Sequence, residues 1–246
     1  MKKFLLITFL VLLSGPSLAN PIISGISNNE INIDTKFQGA KVLLFGAKGD
    51  AGNIVVAVRG PKKNFVVTKK EKLLGVWYNG KRVKFKDSYS FYSIFSTFND
   101  DQKSIENLLT ELELGRNNIN FKTFGVVKED TKNEFQLQLI DRLEKNNLYA
   151  SGTGKIDFLD ETLFKVMLSF PKNISRGVYT VEIYLINDGA LLSFQSIPIY
   201  VNQVGFSATV LDFSHQEPFL YGLLAVAIAL IVGWLANYLF GRFIGK

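Results

Sequence analysis

The chain has 246 residues, 47% of them hydrophobic and 20% charged, which supports a packed core and excludes a disordered chain. Its formal net charge is +6, but Lys2, Lys3, Arg242 and Lys246 lie at the extreme ends, and the nearly neutral remainder excludes a nucleic-acid footprint. Cysteine is absent and histidine occurs once, so disulfides, thiolate chemistry and sulfur- or histidine-rich metal sites are excluded, and no metal or cofactor is expected.

Residues 1–19, "MKKFLLITFLVLLSGPSLA", have the layout of a signal peptide: two lysines, an apolar stretch from Phe4 to Leu13, breakers at Gly15 and Pro16, and a small-residue cleavage site ending at Ala19. The apolar stretch is short for a membrane span.

Residues 20–99 read as a β-sandwich region, with "EINIDTKF", "KVLLFGA", "NIVVAVRG", "NFVVTKKEK", "GVWY", "KRVKF" and "SFYSIFST" as short strands. Asn79-Gly80 predicts a type I′ hairpin between "GVWY" and "KRVKF". Arg59, Lys62, Lys63, Lys69 and Lys70 surround one strand, either as the solvated edge of a sheet or as a contact for an anion or lipid headgroup.

Residues 100–150 change period and form a helical insertion. Ile105, Leu108, Leu109 and Leu112 recur at helical spacing before Gly115. In the next helix Thr131 and Glu134 fit a capping box, and Phe135, Leu139 and Leu143 share a face.

Residues 151–213 read as a second sandwich region, with "LFKVMLSFP", "GVYTVEIYLINDG", "ALLSFQSIPIYVNQ" and "GFSATVLDF" as its main strands. Tyr179, Val181, Ile183 and Leu185 make a core face, Thr180 and Glu182 a wet one. Asp188-Gly189 predicts a tight turn, and Gly177-x-Tyr179 resembles a tyrosine corner. Two immunoglobulin-like sandwiches bridged by helices are the first expectation, one larger sandwich the second.

Residues 214–241 carry the span. Pro218–Phe240 is 23 residues without charge, enough at ~1.5 Å per residue to cross a hydrocarbon core of ~30 Å. Tyr221, Trp234 and Tyr238 suit the interfacial belts, and Arg242 and Lys246 in the tail, 242–246, place that end in the cytoplasm. Ala225, Ala229 and Gly233 form a ridge of small residues, open to a partner helix or simply ordinary span composition. Asp212 and His215 lead into the span, where His215 serves as a polar interface residue or as a partner contact.

Motifs with catalytic meaning fail on context. Gly75, Gly80 and Lys81 fit the start of a phosphate-binding loop, but Arg82 replaces the magnesium-holding hydroxyl and a strand follows. Ser169 and Lys172 fit a penicillin-binding SxxK pair, yet Ser169 ends a strand. "GTGKID" lacks the third glycine of a dinucleotide fingerprint.

"VLLFGA", "VVAVRGP", "GVWYNG", "SFYSIFST", "GVYTVEIYLINDG" and "VGFSATVLDFSHQEPFLYGL" together resemble an alphaproteobacterial transmembrane-protein family that has a signal peptide, a periplasmic region and one C-terminal span. The resemblance covers nearly all of the chain after the leader. It implies a neighbourhood with permeases similar to sulfite or sulfonate exporters, and so an accessory role. The expectation is an inner-membrane, single-pass protein with a mainly β periplasmic domain. It would be no enzyme, and its partners would be the bilayer and an integral membrane protein such as that permease. The alternative is a periplasmic anion-binding protein or enzyme acting at the membrane surface.

Overall fold

A computed structural model describes residues 22–49, 51–98 and 105–244, with 206–208 and 241–244 described as backbone. The expected leader and Lys246 lie outside the described residues. Two compact units emerge, one of residues up to Ile31 together with Gln38–Tyr200, the other of Asn32–Phe37 together with Val201 onward.

The first unit is built on strands whose alternation in sequence decides which faces are buried. Strands β1 (Ile22–Ile26), β3 (Gly39–Lys48), β11 (Leu163–Pro171) and β10 (Asp157–Phe158) make one sheet in the order β1-β3-β11-β10. A second sheet orders β2 (Glu30–Ile33), β13 (Ala190–Gln203), β12 (Gly177–Asn187), β4 (Asn53–Arg59), β7 (Tyr92–Ser96) and β9 (Gly154–Lys155) as β2-β13-β12-β4-β7-β9. Ring contacts join the two sheets as a sandwich. Phe170 of β11 stacks on Phe91 at 5.4 Å and meets Tyr179 of β12 edge-on at 5.7 Å.

The separate sandwiches of 20–99 and 151–213 are not found. Strand β3 pairs with β11 and β4 with β12, so early and late strands alternate in the same sheets. No early strand set closes alone, because Val42, Leu44 and Ile54 need the facing rows from β11 and β12 to leave water.

The wet face expected on β12 is also corrected. In β4, Ile54, Val56 and Val58 face the sandwich, while Val55 and Ala57 join Tyr184 and Ile186 of β12 in a second core. That core is closed by a helical layer and a hairpin. Helix α1 (Glu106–Glu111) and helix α2 (Glu129–Lys145) provide the first, with Phe135, Leu139 and Leu143 buried as their spacing predicts. Strands β5 (Lys62–Leu73) and β6 (Val76–Tyr89), with β8 (Lys122–Thr123) beside them, provide the second through Val83 and Phe85.

Both helices end in a Schellman arrangement. Leu114 and Glu113 donate to the Leu109 and Thr110 carbonyls in α1, and Leu148 and Asn147 to those of Leu143 and Glu144 in α2. The left-handed residue closing α1 is therefore Glu113, at φ 53°, and not Gly115. Helix α2 begins at Glu129, ahead of the expected capping box, and no side chain caps it. Thr131 lies inside the helix, and Glu134 reaches across to Lys69.

In the second unit, "GFSATVLDF" is not a strand. Gly205, at φ 95°, ends the extended run, and helix α3 (Phe206–Gln216) follows. Helix α4 (Pro218–Ile244) starts after one non-helical residue, Glu217, which the following proline forces out of helical geometry.

Candidate functional site

The buried polar centre of the first unit is Arg59, 8% exposed, at the last position of β4. Register places its side chain on the second-core face of the sheet beside Glu182 and Tyr184, with Ala57 opposite Glu182 leaving room. One guanidinium nitrogen of Arg59 donates to the Glu182 carboxylate and lies 3.4 Å from the Tyr184 hydroxyl. Its other nitrogen donates to the Leu112 carbonyl at 2.7 Å and the Glu113 carbonyl at 3.3 Å, the carbonyls that the end of α1 leaves open. Tyr184 donates to Glu182 at 2.7 Å. Tyr92 accepts the Gly115 N–H at 2.8 Å, holding the same loop.

Burial by itself lowers the Arg59 pKa, but the Glu182 carboxylate and the Tyr184 and Tyr89 rings outweigh it, so the guanidinium is held above its ordinary value. Burial is also the main cause that pushes the Tyr92 phenol up to about 12, and the Tyr149 and Tyr184 phenols higher still. This centre ties the helical layer to the sheet. Sequence reasoning named Arg59 but missed Glu182, although one carboxylate inside an apolar strand is the signal for such a partner.

The five cations, read as a solvated sheet edge or as an anion contact, do not converge on one point, although Arg59 and Lys62 share the Tyr89 ring. Lys62 lies over the Tyr89 ring at 5.5 Å, Lys63 donates to the Ser175 hydroxyl at 2.5 Å, and Lys69 pairs with Glu134 at 2.8 Å. Lys70 is exposed on the outer part of the hairpin. The hairpin turn is not at Asn79-Gly80. Strands β5 and β6 turn at Leu74 and Gly75, with φ 49° and 87°, and Asn79 pairs with Lys70 inside the ladder. At Gly80 an added Cβ would come within 2.5 Å of the Glu71 carboxyl carbon, so this glycine gives Glu71 its path to Tyr78. The phosphate-loop spacing at Gly75, Gly80 and Lys81 therefore falls on a hairpin, and Ser169 of the SxxK match lies on strand β11.

Asp212 and His215 sit in the last turns of α3. The His215 Nδ1 lies 2.8 Å from the Leu211 carbonyl, which can only accept, so this nitrogen carries the proton and caps the helix end. Across the Glu217 break, Phe213 meets Tyr221 edge-on at 6.2 Å. Within the described residues one helix, Pro218–Phe240, is long and apolar enough to cross a membrane, and none of it is buried. Ala225, Ala229 and Gly233 are exposed along it.

A cleft of about 450 Å³ is lined by Tyr92, Glu144, Tyr149, Ser151 and Ser169 among others, with Arg116 paired to Glu144 at 2.7 Å. A groove of about 440 Å³ on the four-stranded sheet is lined by Ile23, Phe45, Leu159 and Leu163 among others. Tyr179 completes the expected corner, its hydroxyl donating to the Ser175 carbonyl at 3.0 Å. Among the described residues no group of His, Asp and Glu could hold a metal ion.

A comparison with curated proteins gives no match. The mainly β domain followed by one apolar C-terminal helix is the architecture of a single-pass membrane protein. Residues 21–242 match the family described as Putative transmembrane protein (Alph_Pro_TM), and the chain belongs to that alphaproteobacterial family.

Proposed function

We propose that this protein is an inner-membrane, single-pass accessory protein whose β domain lies in the periplasm and binds an integral membrane partner without catalysing a reaction. The observation that carries the reading is the apolar groove. Ile23 is 68% exposed and Phe45 48%, and with Leu159 and Leu163 they form a contiguous apolar surface that water disfavours and a protein partner would cover. The Ala225, Ala229 and Gly233 ridge supports a helix contact inside the bilayer. A permease similar to sulfite or sulfonate exporters is the partner that the family resemblance implies. The burial of Arg59 against Glu182 counts against an anion-binding role for that residue.

Photo-crosslinkers placed at Phe45 and at Ala229, followed by identification of the captured proteins, test the reading. One polytopic membrane protein captured from both positions is the expected result, and capture of soluble proteins alone overturns it. Protease added to spheroplasts is expected to digest the domain and spare a C-terminal tag; loss of the tag would reverse the orientation.

A further inference from the structure

We propose that the free end of the β5–β6 hairpin is a membrane-contacting finger, which seats its apolar tip at the headgroup and acyl-chain boundary of a bilayer containing anionic phospholipid. The hairpin has two halves of opposite character. Its base is part of the fold, with Val83 and Phe85 in the second core and Lys69 tied to Glu134. Beyond Lys69 the pairs Lys70 with Asn79, Glu71 with Tyr78, Lys72 with Trp77 and Leu73 with Val76 continue the ladder by roughly 15 Å.

The tip chemistry is the reverse of what a water-facing hairpin uses. Leu73, Leu74, Val76 and Trp77 are 64%, 97%, 70% and 64% exposed. Leu74 occupies the left-handed position of a turn whose geometry favours asparagine followed by glycine, so leucine strains the backbone and gains no burial within the domain. A surrounding apolar phase would compensate for both.

Behind the tip the residues are sorted as a bilayer interface is. Trp77 and Tyr78 come one step back from the aliphatic apex, where amphipathic rings prefer to lie. Lys72 stands level with Trp77, and Lys70 and Lys81 follow just behind, within reach of phosphate headgroups. The single acid among them, Glu71, accepts the Tyr78 hydroxyl at 2.6 Å, and Lys72 lies over the Trp77 ring at 5.7 Å. An apolar apex ringed by cations matches anionic lipid better than a protein groove, which would need no basic collar. The span in the same chain also keeps a bilayer at high effective concentration.

The test uses the full chain carrying Trp234→Phe, which leaves Trp77 as the sole tryptophan. It is reconstituted into phosphatidylcholine vesicles with or without phosphatidylglycerol, whose two leaflets are alike, so chain orientation does not matter. Expected with phosphatidylglycerol are blue-shifted Trp77 emission, quenching by lipid-borne bromine high on the acyl chain, and protection from aqueous acrylamide. Replacing Lys70 or Lys72 by Gln should each reduce the contact about fivefold. Leu74→Asn creates the preferred turn dipeptide, so it should leave thermal stability equal or higher while weakening the contact about tenfold. Water-like Trp77 emission in anionic vesicles, or unchanged quenching in Leu74→Asn, overturns the proposal. Protection of Trp77 only in native membranes, and not in lipid vesicles, also overturns it and assigns the finger to a protein partner.

Discussion

At Arg59 one side chain holds both a strand and the end of a helix, because its two outer nitrogens point in different directions. Removing the cation alone leaves the largely buried Glu182 carboxylate without its counter-charge, which costs more than the pair contributes. Arg59→Met is therefore expected to destabilise the domain by about 3 kcal/mol, and Arg59→Met with Glu182→Leu by distinctly less, as measured by denaturant unfolding. The buried phenols make a second prediction. Tyr92 has its pKa raised to about 12, against 10 for the free side chain, so the folded state keeps a proton that the unfolded state loses. Its stability contribution is complete below pH 10 and is lost as pH rises through about 12. Tyr149 and Tyr184 act in the same direction. Phenolate absorbance should rise together with unfolding in one cooperative alkaline step, and Tyr92→Phe should shift that step upward in pH.

At the scale of elements, what could be read from sequence was what local forces decide. The buried row Phe135, Leu139 and Leu143 follows directly from helical period, and Asp188 and Gly189, at φ 47° and 78°, make the turn that their dipeptide favours. Asn79-Gly80 misled because an equally good local signal was overruled by pairing. The ladder places Gly80 beneath Glu71, and the turn falls on Leu74, whose side chain gives no local reason for it. Helix α3 was missed because Val210, Leu211 and Phe213 suit a strand as well as a helix, and no nearby residue breaks the tie. Of the candidate site, Arg59 was legible as a charge, but its burial depended on a partner more than a hundred positions away. The joint between α3 and α4 gives a prediction at this scale. Pro218→Ala restores the missing N–H and relieves Glu217, so the two helices should straighten toward one, measured as a lengthened distance between spin labels at Asp212 and Leu224.

At the scale of the whole molecule, the alternation of early and late strands makes the first unit cooperative. A fragment ending before residue 151 lacks β11, β12 and β13, and should give the spectrum of an unfolded chain and not of a half-sized sandwich. The same alternation sets a clock during synthesis. Strand β3 cannot meet β11, nor β4 meet β12, until the chain between them has been made, an interval on the order of ten seconds at the ribosome. Throughout that interval Ile54, Val55, Val56, Ala57 and Val58 lie bare as one continuous apolar segment able to pair with any passing strand. The nascent chain is therefore expected to depend on a holding chaperone until its sheets close, and in cells depleted of such factors newly made chains should aggregate while chains folded beforehand persist.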